Sequence, residues 1–166
     1  MSSTTPGQHE RATVATDGSA IVITRRFRAP AELVYAAMTR PEHVRQWWGV
    51  GFGEVTVCEI DLRVGGRWHF AQTTPDGREV SFSGEYLELD PPGHMVHTEK
   101  YDAIPDSEPA TIVTTLDEQD GATTLHAVCT YDSPQTVEMV VGSGMEAGMQ
   151  SSYDAIDDVL VTLQSA

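Results

Sequence analysis

The stretch DLRVGGRWHF, residues 61–70, decides between two classes of fold. A phosphate-binding glycine loop would have to open a helix, so that backbone amides and the helix dipole converge on the anion. Here the strand pattern RWHF follows the glycines instead. Gly65 and Gly66 are therefore predicted to form a two-residue hairpin turn, in which glycine takes a positive φ without a steric penalty. The stretch favours an antiparallel sheet over a nucleotide-binding fold.

Turn signals of the same kind divide the chain on both sides of this hairpin. Residues 20–28 carry apolar side chains at a period of two, which predicts a first strand with one buried face. Six further strands at hairpin spacing are predicted at 54–61, 66–73, 79–89, 94–101, 110–117 and 122–131. The sequence thus predicts a seven-stranded antiparallel sheet.

Helical periodicity is confined to two regions. Between the first and second predicted strands, Pro30 and Pro41 each suit the first position of a short helix. Near the C-terminus, a short helix is predicted at 134–141 and the main helix at 144–164, because glycines interrupt the apolar stripe between them. The fold class is therefore α+β, ending in one long helix.

Composition limits the organisation of the chain and its partners. Residues 1–18 have few large apolar side chains and are predicted to be a disordered leader, with a single domain over 19–166. A formal charge of −15, with 25 acidic against 10 basic residues, argues against nucleic acid or a membrane as partner. Cys58 and Cys129 are predicted to be buried free thiols, which fits a cytoplasmic protein.

The order of one strand, two small helices, six antiparallel strands and a long terminal helix resembles the helix-grip fold of the SRPBCC (START-like) superfamily. Within it, the chain resembles the branch related to the activator of the heat-shock-protein-90 ATPase. The blocks that carry this resemblance are residues 27–48, 61–68, 84–92 and 148–160. The resemblance implies a curved sheet wrapped around the C-terminal helix, with a cavity between them that binds apolar small molecules or houses cyclisation or hydrolysis.

Methionine and aromatic side chains are predicted to face each other across that cavity. Methionine suits adaptable binding surfaces, although a stripe at helical period is also typical of a plain core. The candidate ligand-binding residues are Trp48, Trp68, Phe70, Phe82, Tyr86, Met95, His97, Met145, Met149 and Tyr153. Met139 is expected on the same side. No cofactor is predicted, and no metal site, because no histidine has metal-ligand spacing with another ligand type.

The leading hypothesis is a protein that binds a small apolar or aromatic molecule in the cavity. Two alternatives stay open: a co-chaperone-like regulator docking on a larger protein, and a cyclase, dehydratase or hydrolase. An enzyme would use His97 and Glu99 as acid–base candidates, with Arg67 or Tyr86 beside them. The C-terminal carboxylates Asp154, Asp157 and Asp158 are interpreted as a solvated helix face.

Overall fold

The computed structural model describes residues 9–103 and 107–165. The strands are β1 (Thr13–Asp17), β2 (Ala20–Phe27), β3 (Glu54–Ile60), β4 (Arg67–Thr73), β5 (Glu79–Asp90), β6 (His94–Tyr101), β7 (Ala110–Gln119) and β8 (Ala122–Thr130). The helices are α1 (Ala31–Thr39), α2 (Pro41–Trp47), α3 (Pro134–Gly142) and α4 (Met145–Gln164). The strands form one antiparallel sheet in the order β1-β2-β8-β7-β6-β5-β4-β3. The predicted α+β helix-grip class is confirmed.

One face of this sheet, the inner face, is turned toward α4. Alternation along β2 sets this arrangement, because Ile21, Ile23 and Phe27 all point to one side and are almost completely buried. They pack in one core cluster with Ile156 and Leu160 from the C-terminal half of α4. Burial of these large apolar side chains is the main force holding the helix in the sheet.

The sheet has eight strands rather than the predicted seven, because β1 lies inside the segment predicted as a disordered leader. Thr13–Asp17 pairs antiparallel with β2. Just before it, the backbone N–H of Ala12 donates to Gln150 Oε1 at 3.0 Å, and Gln150 Nε2 donates to the Ala12 carbonyl at 2.9 Å. Pairing with β2 and the two bonds to Gln150 hold this segment in place, although its sequence has no apolar pattern. Residues 1–8 lie outside the described part of the chain.

The link between β3 and β4 is a turn, but not the predicted two-residue hairpin, since it spans residues 61–66. Gly65 has a φ of 83° and uses the freedom of glycine, whereas Gly66 does not. Gly66 is needed for close approach, because a Cβ there would collide with the carbonyl oxygen of Asp61. Backbone bonds of Gly65 and Gly66 with Tyr86, at 2.8 and 2.9 Å, tie this turn to β5.

Candidate functional site

Strand β6 places two titratable side chains on the inner face of the sheet. Its residues Met95, His97 and Glu99 alternate with outward-facing ones, and they lie opposite Thr114, Ile112 and Ala110 of β7. The register continues this row to the neighbouring strands, because Ile112 also lies opposite Cys129 of β8 and His97 lies opposite Tyr86 of β5. His97 and Glu99 therefore point toward the long helix.

The two halves of α4 are packed differently against this face. In the C-terminal half, Ile156 and Leu160 are at most 2% exposed. In the N-terminal half, Met145, Met149 and Tyr153 are only half-buried. A second core cluster lies on β3–β6 and α2, made of the buried residues Val44, Cys58, Trp68, Phe70, Tyr86 and Met95. The side chains at the junction of the two clusters thus retain accessible surface.

His97 sits among aromatic rings without a polar partner for its inner nitrogen. The Trp68 ring stands edge-on to it with centroids 5.9 Å apart, and the Tyr86 ring lies 6.3 Å away. Nδ1 is buried and has no hydrogen-bond partner among the residues that the structure describes. Burial lowers the pKa of His97 to about 4, because the charged imidazolium loses its hydration. The ring is neutral at physiological pH, with one nitrogen left to bond.

Glu99 is the second unpartnered polar group. Its carboxyl makes no hydrogen bond or ion pair with any residue of 9–103 or 107–165, yet the residue is only half-buried by accessible surface. Burial raises the pKa of Glu99 to about 7.

Three further titratable groups surround Glu99. Cys129 at the end of β8, Tyr131 directly after it, and Tyr153 on α4 all lie near enough for the carboxylate charge to affect them. Burial raises the pKa of each, and the negative charge of Glu99 raises it further. Neither phenol makes a hydrogen bond with the described part of the chain. The region has hydroxyls and a carboxyl, but they do not bond to each other.

An aromatic wall continues from His97 across β4 and β5. Trp68 lies 4.8 Å from Phe70, and Trp48 stands edge-on to Phe70 at 5.6 Å and to Phe82 at 6.0 Å between ring centroids. Trp68 is fixed by Nε1–H donating to the Thr98 carbonyl at 3.1 Å. The indole crosses directly over Gly84, where a Cβ would lie 2.6 Å from Nε1. Close packing against the Trp68 indole therefore explains the glycine at position 84.

The structure brings the candidate ligand-binding residues of the sheet together. The candidate residues of the helix pack against a different cluster. Trp48, Trp68, Phe70, Phe82, Tyr86 and Met95 belong to the cluster on β3–β6. Met145, Met149 and Tyr153 pack against the cluster on β2, β7 and β8. Two expectations are wrong: Met139 is 69% exposed, and Arg67 is exposed opposite Glu85, on the face away from α4.

An ion-pair network that the sequence reasoning missed joins β2 to α4. Arg25 is 2% exposed, and its guanidinium donates to Asp157 at 2.7 and 3.0 Å and to Asp154 at 3.2 Å. The interpretation of Asp154 and Asp157 as a merely solvated face is therefore wrong. His9 Nδ1 also lies 2.8 Å from Asp157. Although His9, Asp154 and Asp157 group their donor atoms, both carboxylates are already bound by Arg25, so we interpret this as a structural network.

A polar depression of about 550 Å³ lies along β3–β5, and the sequence analysis did not predict it. In it, His69 Nε2 lies 2.8 Å from Ser81 Oγ, which donates to Asp102 at 2.6 Å, and Ser83 Oγ donates to the other oxygen of Asp102 at 2.7 Å. Burial alone would raise the pKa of Asp102. The two serine hydroxyls, with the nearby charges of His69 and Lys100, hold this pKa below its ordinary value. Both serines are used as donors to Asp102, so neither is activated as a nucleophile.

Comparison with known proteins identifies the class that this fold and interior define. Residues 28–161 match the family described as Activator of Hsp90 ATPase homolog 1-like protein, and the chain belongs to that family. No curated protein matches the chain. Within the described residues, no helix is long and apolar enough to cross a membrane.

Solved bacterial structures share this fold. A Rhodobacter sphaeroides protein is 25% identical, with a TM-score of 0.85 over 92% of this chain and 99% of that one. The Mycobacterium smegmatis protein Ms6760 is 30% identical, with a TM-score of 0.77 over 89% of this chain and 97% of that one. Protein NE0264 from Nitrosomonas europaea, at 20% identity and a TM-score of 0.78 over 89% and 97%, shows the fold alone.

Proposed function

We propose that this protein binds a small apolar or aromatic molecule between the N-terminal half of α4 and the inner face of β4–β6. The observation that carries the proposal is the buried Nδ1 of His97, together with the half-buried carboxyl of Glu99 on the same face of β6, since neither has a hydrogen-bond partner among residues 9–103 and 107–165. A folded protein rarely leaves buried polar groups unsatisfied, because each costs free energy. A ligand that bonds to them would explain why they are there.

The surroundings of this pair fit a ligand site. Ligand pockets are mostly apolar, with a few polar groups that fix the orientation of the ligand. The aromatic wall that includes Trp68 and Phe82 supplies apolar surface on the strands, and the half-buried Met145 and Met149, which pack against the neighbouring cluster, supply apolar surface on the helix. Methionine adapts its shape to irregular partners. The free, buried thiols Cys58 and Cys129 support a cytoplasmic location, and the proposed binding requires no cofactor.

The test uses a neutral fluorescent apolar probe, N-phenyl-1-naphthylamine, with two tryptophan variants. We expect the wild type to bind the probe and Met149→Trp to lose binding at an unchanged or higher melting temperature, because the indole fills the space. Met139→Trp, at an exposed site on α3, is the matched control and retains binding. Absence of probe binding in the wild type, with Met149→Trp destabilised by about 1 to 3 kcal/mol through overpacking, would refute the proposal.

Acid–base catalysis is a second candidate, favoured by one observation. His97 and Glu99 lie on the same face of one strand, and burial shifts their pKa values to about 4 and about 7. A pair whose pKa values are moved apart provides one group that donates a proton and one that accepts it near neutrality. Mass spectrometry of a bound ligand before and after incubation distinguishes the two functions, since a binding protein returns its ligand unchanged.

The family description supports docking on a chaperone as a third function for the chain, but both rings of the tryptophan pair are engaged in internal packing. Trp47 is half-buried and its Nε1–H donates to the Ala37 carbonyl at 2.8 Å. Trp48 is half-buried against Phe70 and Phe82. Both rings are used in internal packing, so ligand binding is the function that the interior supports best.

A further inference from the structure

We propose that the ligand of this site is an arylalkylamine, with its ammonium group bound by the carboxylate of Glu99 and its ring against the aromatic wall beside His97. This inference rests on the proposed ligand-binding function and specifies the chemical class of the ligand. It follows from the charges around Glu99, the spacing along β6 and the rings beyond His97.

No basic side chain of the described part of the chain is paired with Glu99. Arg25, the buried arginine on the inner face, is bound to Asp154 and Asp157. Lys100 follows Glu99 on β6 and points to the opposite face, where its charge acts on Asp102. Burial is the only cause of the raised pKa of Glu99, with no positive neighbour offsetting it. An ionised Glu99 therefore lacks a counter-ion from residues 9–103 and 107–165.

A ligand cation would provide that counter-ion. A charge-assisted bond between ammonium and carboxylate is stronger than a bond between neutral groups, and it gains strength in a poorly hydrated interior. The formal charge of −15 draws cations to the protein from a distance.

The spacing along β6 sets the length of the ligand. Residues two apart on a strand are separated by about 7 Å, so His97 lies that far from Glu99 on the same face. The rings of Trp68 and Tyr86 flank His97 at 5.9 and 6.3 Å. A ligand with its amine at Glu99 and a short alkyl chain therefore places an aromatic ring beside Trp68. The Nδ1 of His97 is available to a polar substituent on that ring.

The test compares three competitors that share one ring and a similar chain: 2-phenylethylamine, 2-phenylethanol and 3-phenylpropanoate. Each displaces N-phenyl-1-naphthylamine from the wild type at pH 8, where Glu99 is ionised. We expect the amine to compete about tenfold better than the alcohol, and the carboxylate to compete worst. In the Glu99→Gln variant, the ratio of the competition constants of the amine and the alcohol, each measured against that variant's own probe affinity, should fall to about one.

The control for long-range attraction is Glu54→Gln, which removes the same charge from an exposed position on β3. It should retain the preference for the amine. Probe binding without any preference for the amine, or a preference that survives in Glu99→Gln, overturns this inference while leaving the proposed function intact. Stronger competition by 3-phenylpropanoate also overturns it, because Glu99 would then act as a neutral donor. Absence of probe binding refutes the proposed function itself.

Discussion

His97 and Glu99 lie two residues apart on the inner face of β6, and burial moves their pKa values in opposite directions, to about 4 and about 7. Each shift disfavours the charged form, since both groups lose hydration. The pair therefore tends to be neutral over a range of pH in which a solvated histidine and glutamate would both be charged. This relationship has consequences for stability that can be measured without a ligand.

Stability should depend on pH in opposite senses for the two residues. The pKa of Glu99 rises from 4.5 to about 7, so its stabilising contribution is complete below pH 4.5 and is lost as pH rises toward 7. The pKa of His97 falls from 6.5 to about 4, so its contribution is complete above pH 6.5 and is lost as pH falls toward 4. Between pH 4.5 and 6.5 the two effects oppose each other.

Urea unfolding at a series of pH values separates the contributions of Glu99 and His97 to stability. We expect Glu99→Gln to lose stability as pH falls below 6.5, and to be more stable than the wild type at pH 8 by about 2 kcal/mol. His97→Gln should lose stability as pH rises from 4.5 to 7. The neighbouring Cys129, Tyr131 and Tyr153 have raised pKa values and stay protonated throughout. If both variants followed the wild-type profile in parallel, this account of the pair would be wrong.

Gly84→Ala should destabilise the fold by about 2 to 3 kcal/mol. A Cβ at this position would collide with the carbonyl oxygen of Thr98 and with the indole of Trp68, so the aromatic wall would have to move. Thermal unfolding measures the loss. Gly142→Ala is the matched control, because no atom lies within 4 Å of a Cβ there, and it should leave the melting temperature unchanged or slightly raised.

The two glycines of the β3–β4 turn should respond differently to alanine. Gly65→Ala forces a positive φ on a side chain in open space, at a cost of about 1 kcal/mol. Gly66→Ala places a methyl group against the carbonyl oxygen of Asp61 and should cost about 2 kcal/mol or more. Chemical denaturation of both variants tests the order. A larger loss for Gly65→Ala would contradict the role of close approach at Gly66.

Removal of the buried arginine should be costly. Arg25→Met deletes the bonds to Asp154 and Asp157 and leaves a carboxylate without its counter-ion, so we expect about 3 kcal/mol of destabilisation. Arg26→Met removes an exposed arginine that pairs with Glu10, and its effect should stay below about 1 kcal/mol. Equal effects in equilibrium unfolding would show that the Arg25 network contributes no more than a surface ion pair.

Much of the fold was predictable because local patterns mark it. Period-two strands, turn pairs and two helical regions gave the order of elements, and only β1 was missed, since Thr13–Asp17 is largely exposed and carries no apolar stripe. Its pairing with β2 is local, with Asp17 opposite Ala20, but the Ala12–Gln150 bonds that hold its start join residues 138 apart in sequence. A contact of that separation leaves no trace in a local window.

The candidate site was predictable in part for the same reason. Strand parity placed His97 and Glu99 together correctly, and it could also have shown that Arg67 points away, since Trp68 next to it is buried. The Arg25–Asp157 pair needed knowledge of how α4 lies on β2. Met139 was misplaced because it was grouped with Met145 and Met149 across the break between α3 and α4, whereas the buried residue of α3 is Val137.

The position of β2 has a consequence for any shortened form of this protein. The family match begins at residue 28, while β2 ends at Phe27 and covers β8 along its whole length. A chain trimmed to the matched region would lack both β1 and β2 and would leave a free row of N–H and C=O groups along β8. Such an open edge templates pairing between molecules. The trimmed chain would therefore tend to self-associate into aggregates, although every residue of the family match is still present.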